Sequence, residues 1–127
     1  MSNILLAVNG TLMRGLSLNQ SLIDAGAVFV RETKTAANYH LWSIQDQYPA
    51  MVQDEELGIK LDVEIWSLTP TALVEILQKE PPGLCVGKVQ LADGSTVFGM
   101  VAEPFIIKGQ TEITIWGGWR QYVTSRK

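Results

Sequence analysis

Two apolar-rich runs, 84–91 and 95–101, meet across Ala92-Asp93-Gly94. Asp-Gly supplies the positive φ that a tight turn between antiparallel strands demands, so this stretch is committed to a hairpin. A lone hairpin is marginal in water and needs further strands or a helix to cover it. The chain offers several. Ile4–Val8 is a continuous apolar run that suits a strand buried on both faces. Ala27–Thr35 is centred on Val28, Phe29 and Val30, and Tyr39–Ile44 puts Tyr39, Leu41 and Ser43 on one face. In Ile59–Leu68, Ile59, Leu61, Val63 and Ile65 alternate with Lys60, Asp62, Glu64 and Trp66. Phe105–Ile107 reads as one more strand, ended by Gly109. Residues 45–58 read as a polar loop containing Pro49, with at most a brief strand at Met51-Val52.

Helices are fewer. Ser17 or Asn19 can cap a short one that runs to about Ala25 and stops at Gly26. Thr69-Pro70 announces a second: threonine caps, and proline in the first turn has no N–H to lose. Ala72, Leu73, Ile76 and Leu77 then share a face, and Pro81-Pro82 forces the helix to end before them. Near the C-terminus, Trp119 and Tyr122 are three apart, which favours a helix over a strand. There is no strict βαβ alternation, so the expected fold class is α+β with a strongly curled sheet, in one domain covering 1–127.

Composition excludes several functions. With 46% hydrophobic residues the chain can build a core. The formal charge is -3, and among the ten Lys and Arg only Arg126 and Lys127 are adjacent. A phosphate-tracking stripe needs clustering, so nucleic acid is not an expected partner. Cys85 is the only cysteine and His40 the only histidine. That leaves no disulfide, no Cys or multi-His metal centre, and a single imidazole for any triad; no metal or cofactor is expected. The Ile4–Val8 run is too short for a signal peptide or a membrane span, so a cytoplasmic setting with no membrane partner is expected.

Two places attract chemistry. The loop Asn9-Gly10-Thr11-Leu12-Met13-Arg14-Gly15 joins a buried strand to a helix, and its glycines let backbone N–H groups line a small anion-binding concavity to which Arg14 can add charge. The plainer reading is a simple connection. Glu80 ends the second helix, where a carboxylate opposes the macrodipole. Against apolar walls, desolvation would raise its pKa and suit it to general acid/base work; the alternative is an exposed glutamate beside Lys79. Asp62 and Glu64 share a strand face, either as an acid/base pair or, more simply, as its wet side. His40 reads as a packed or half-exposed side chain and Cys85 as a buried inert thiol. The four tryptophans, Trp42, Trp66, Trp116 and Trp119, are many for one small core and hint at self-association.

Taken together, several segments resemble a known family. The run from Val8 to Asn19 resembles the first loop and helix of γ-glutamylcyclotransferase-like domains. Val63-Glu64-Ile65-Trp66, the run from Gly83 to Gly94, and the tail from Glu112 to Trp116-Gly117-Gly118-Trp119-Arg120 are similar to the C-terminal domain of allophanate hydrolase. The resemblance implies a γ-glutamylcyclotransferase-like mixed β-barrel with flanking helices. It also implies a pocket between the first loop and the helix after the fourth long strand. Backbone groups of Asn9, Gly10, Thr11 and Leu12 would hold a small polar ligand there, and Glu80 falls where a general acid/base glutamate is expected. Asn9 stands where the cyclotransferase pattern has tyrosine, and Pro81 where it has glycine. The expectation is therefore an enzyme or binding domain for a small amide, γ-glutamyl or urea/allophanate-type ligand. The alternative is a non-catalytic accessory or oligomerisation module for a separately encoded amidase, and on either reading the chain is expected to be a homo-oligomer.

Overall fold

The computed structural model describes residues 3–55 and 57–126. The Asp-Gly hairpin forms as expected: β6 (Leu84–Gln90) and β7 (Thr96–Ala102) pair from Leu84 opposite Ala102 to Gln90 opposite Thr96. Gly94 takes φ +90, and the Asp93 carboxylate accepts the Ser95 N–H at 2.8 Å, which closes the turn. The remaining elements are β1 (Ile4–Val8), α1 (Asn19–Asp24), β2 (Val28–Lys34), β3 (Tyr39–Ile44), β4 (Tyr48–Gln53), β5 (Asp62–Leu68), α2 (Pro70–Lys79), β8 (Thr111–Glu112) and α3 (Trp119–Ser125).

A five-stranded sheet runs in the order β2-β5-β1-β7-β6, with β1 and β7 parallel and the other neighbours antiparallel. It curls until its two outer strands touch at a single bridge, Thr35 to Leu91, where Ala36 N–H donates to the Gln90 carbonyl at 2.9 Å. One bridge is not a ladder. The barrel implied by the resemblance is therefore corrected to a curled but open sheet, and the α+β class stands. A second sheet, β4-β3-β8, lies beside it.

Three local expectations are corrected. The 45–58 loop holds a full strand, β4, paired with β3 along its length. Pro49 is tolerated because β4 is an edge strand, where no ladder partner needs its missing N–H. Phe105–Ile107 is no strand but part of a 3₁₀ turn, Pro104–Ile107; proline opens such a turn without cost, whereas it would break a ladder. The N-cap of α1 is Leu18, with no side-chain cap, because the Asn19 amide turns back to the Leu12 carbonyl at 2.8 Å. Helix α2 is as expected: Thr69 Oγ1 accepts the Ala72 N–H at 3.1 Å, and Ala72 and Ile76 are buried.

The core is one main cluster drawn from the large sheet, all three α-helices and strands β3 and β4. Leu6, Leu22, Tyr39, Leu61, Ile65 and Val89 are fully enclosed. Each of the five aliphatic side chains among them is worth about 1.5–3 kcal/mol relative to exposure. The Tyr39 hydroxyl accepts the Gln90 N–H at 2.9 Å, so its polar tip is satisfied inside. Of the β1 run, Leu6, Ala7 and Val8 are buried, whereas Ile4 is half-buried and Leu5 exposed. Trp66 and Trp119 are buried, whereas Trp116 is 46% exposed. No described helix is long and apolar enough to cross a membrane.

Candidate functional site

The loop after β1 and the C-terminal end of α2 face one another across a narrow cleft. It is lined by Val8, Asn9, Gly10, Thr11 and Leu12 on one side and by Glu80, Leu84, Met100 and Val101 on the other, with Tyr48, Pro49 and Met51 of β4 as a third wall. Glu80 and the Asn9–Leu12 loop, 68 or more residues apart in the chain, are thus brought together. The cavity measures about 30 Å³, room for about two waters or one compact polar group.

The loop is held at several points. Asn9 Nδ2 donates to the Met100 carbonyl at 2.8 Å, tying it to β7, and Met13 N–H donates to the Gly10 carbonyl at 2.9 Å. Gly10 sits so close to β4 that a Cβ would stand 2.5 Å from the Pro49 ring. Among the described residues, none accepts from the N–H groups of Gly10, Thr11 or Leu12. Free amide donors at buried Gly10 and Leu12 are exceptions to the rule that interior polar groups pair, and they border the cleft.

Glu80 is the cap residue of α2, extended at φ -79, with its N–H on the Leu77 carbonyl at 3.1 Å. It is partly buried, and no described residue hydrogen-bonds its carboxylate. Burial alone pushes its pKa above the ordinary carboxylate range. A glutamate that keeps its proton more readily than usual can donate to a ligand or leaving group, and after ionising can take a proton back.

Arg14 is not among the residues lining the cleft. Its side chain lies over the Phe29 ring at 3.7 Å and pairs with Glu32 and Glu64. Two carboxylates on the neighbouring strands draw the guanidinium away from the loop's open side. Glu64, read from the alternation as a wet-face residue, is instead 1% exposed. Its Oε1 accepts the Arg14 backbone N–H at 2.9 Å and the Trp66 indole at 3.2 Å, and its Oε2 accepts from Arg120 at 3.2 Å and from Arg14 Nε at 3.3 Å. Burial pushes its pKa up, but these donors outweigh burial and hold it below the ordinary range. The partners come from distant parts of the chain, so only the pairing of Glu64 with Trp66 on one strand face hinted at this.

His40 and Cys85 do not line the cleft. The His40 Nδ1 is 2.7 Å from Glu112 Oε2 and its Nε2 2.8 Å from the Leu57 carbonyl. The Glu112 hydrogen bond foremost raises its pKa. Burial pushes the Cys85 thiol up, away from thiolate reactivity. Among the described residues, no three His, Cys, Asp or Glu are grouped to hold a metal.

A curled mixed sheet whose first loop sets unpaired amides opposite a desolvated glutamate defines an α+β domain with a narrow polar cleft. The chain belongs to the allophanate hydrolase C-terminal domain family, whose model matches residues 4–124. It is 29% identical to urea amidolyase of Lachancea kluyveri over 95% of this chain but 7% of that protein, so it spans under a tenth of the curated relatives' length. The crystal structure of c4763, a uropathogenic E. coli-specific protein, matches with a TM-score of 0.95 and 52% identity over 98% of both chains. Kluyveromyces lactis allophanate hydrolase matches with a TM-score of 0.94 and 25% identity, over 100% of this chain and 22% of that one. A mouse AIG2-like protein, at a TM-score of 0.62, 18% identity and 84% coverage of each chain, shares the fold.

Proposed function

We propose that this chain is a small-molecule enzyme or binding domain for a compact amide, γ-glutamyl or urea/allophanate-type ligand. The single observation that carries the reading is the convergence of unpaired Gly10–Leu12 amides and the unpartnered, desolvated Glu80 on one cavity. A ligand carbonyl or carboxylate oxygen would accept from the loop amides, which stabilise negative charge without reorganising. Glu80 would move a proton at the ligand's nitrogen or oxygen. A cavity of this size admits the polar head of such a ligand and leaves anything larger outside.

The test is Glu80→Gln, assayed with wild type on a γ-glutamyl amine, biuret and allophanate. Gln keeps the shape and removes the proton, so turnover should fall at least about a hundredfold, the ordinary worth of a general acid/base. Equal activity in the two proteins ends the carboxylate role.

A second reading has one observation in its favour: the relatives that carry this domain in longer chains include urea amidolyase and allophanate hydrolase. On that reading this chain is an accessory module, acting in the cytoplasm beside a separately encoded amidase or as a homo-oligomer through its exposed Trp116 tail. Complex formation that survives Glu80→Gln, with no turnover by wild type, would favour it.

A further inference from the structure

Glu64 is an ionisable group enclosed in the fold but absent from the cleft. A buried carboxylate is costly unless fully paired, and an apolar side chain of the same volume would usually serve stability as well. What the Glu64 side chain does that an apolar residue cannot is grip the far end of a loop whose root its backbone already pairs. Its backbone is the register partner of Val8, the root of the loop. Its side chain takes the Arg14 N–H at 2.9 Å, at the loop's far end. Arg120 completes the grip: one Nη2 donates to Glu64 Oε2 at 3.2 Å and to the Arg14 carbonyl at 2.6 Å. The peptide groups on both sides of Arg14 are therefore fixed, one by a carboxylate and one by a guanidinium. Between Val8 and Arg14 lie the amides of Gly10, Thr11 and Leu12 that no described residue accepts from.

We propose that Glu64 and Arg120 are positioning residues for the cleft: acting through Arg14, they hold the Gly10–Leu12 amides toward the ligand position. The inference rests on the reading of those amides and Glu80 as the ligand site. Donors held in advance bind and stabilise charge more strongly than donors that must be ordered on arrival, which is why such a grip belongs behind a binding loop. At 120 a single Nη2 serves both acceptors with two hydrogens fixed in the guanidinium plane, a geometry that the freely rotating lysine ammonium does not hold.

The test uses the full chain, ¹⁵N-labelled, as wild type, Glu64→Gln and Arg120→Lys. Without ligand, both variants should shift the Gly10, Thr11 and Leu12 amide signals and lower their ¹H–¹⁵N order parameters, while the β6–β7 hairpin amides stay protected from exchange. Loosening the loop admits water to Glu80, so its carboxyl titration should move down toward the ordinary glutamate value. Biuret, a small neutral urea-type amide, should bind at least about tenfold more weakly than to wild type, on the order of the loss when supporting residues are removed. Unmoved loop amides and an unmoved Glu80 titration in the folded variants would overturn the proposal. The Arg120 side chain is 39% exposed, so Arg120→Lys decides the matter if Glu64→Gln does not fold. Failure of wild type to bind biuret would count against the ligand reading, while the amide and Glu80 measurements would still judge the grip.

Discussion

Gly10→Ala tests the cleft's construction most directly. A Cβ at Gly10 would lie 2.5 Å from both Cδ and Cγ of Pro49, about 1 Å inside ordinary contact. Neither side can yield cheaply, because the proline ring is rigid and the loop is tied through Asn9 to Met100. Overpacking of this kind costs roughly 1–3 kcal/mol. Against it, Gly→Ala removes unfolded-state freedom worth about 0.4–1 kcal/mol, and Gly10 is not among the positive-φ glycines, so the backbone accepts alanine. The net is a loss of about 1–2 kcal/mol, read by urea denaturation. Pro49→Ala deletes the two ring carbons that clash, so the double variant should recover at least about 1 kcal/mol of the loss, a coupling typical of residues in contact. Gly10→Ala within about 0.5 kcal/mol of wild type, or no recovery in the double variant, would refute the close packing of the loop on β4.

Two further outcomes follow from titrations. Glu80 has its pKa raised by burial, so its neutral form is the one the fold favours; that contribution is present below the unfolded value of 4.5 and is lost as pH rises through the folded value. Glu80→Gln should therefore gain stability over wild type between about pH 4 and neutrality, and urea midpoints that move in parallel across that range would contradict it. His40, with its pKa raised above 6.5 chiefly by the Glu112 hydrogen bond, contributes stability below that value that fades as pH rises through the folded one. Glu112→Gln should lower the His40 midpoint in an NMR titration, and an unchanged midpoint would remove Glu112 as the cause.

Local signals were readable where they were complete in a few residues. Asp93-Gly94 defines its hairpin, Thr69-Pro70 and Pro81-Pro82 bracket α2, and alternation marks β5. Strand β4 was hidden because Pro49 speaks against a strand and only an edge position permits it. The burial of Glu64 was illegible because its neutralising partners lie 50 and 56 residues away. Glu80 and the first loop were singled out by local oddity and by resemblance, while their meeting in one cleft depends on sheet order. Barrel closure failed as an expectation because curvature is a property of five strands together and of no one segment.

The parallel pairing of β1 with β7 has a consequence for how the chain comes to be folded. Leu6 meets Phe98 across 92 residues, and β1, the earliest strand, lies at the centre of the sheet. Until β7 is available, β1 has β5 on one side and an open edge on the other. An open edge beside Leu6, Ala7 and Val8 is a template for strands of other chains. High contact order makes that interval long, since loop closure must precede the reward of pairing. The last third of the chain therefore acts as the lid of its own earliest strand, and conditions that delay its arrival, in synthesis or refolding, favour aggregation over assembly.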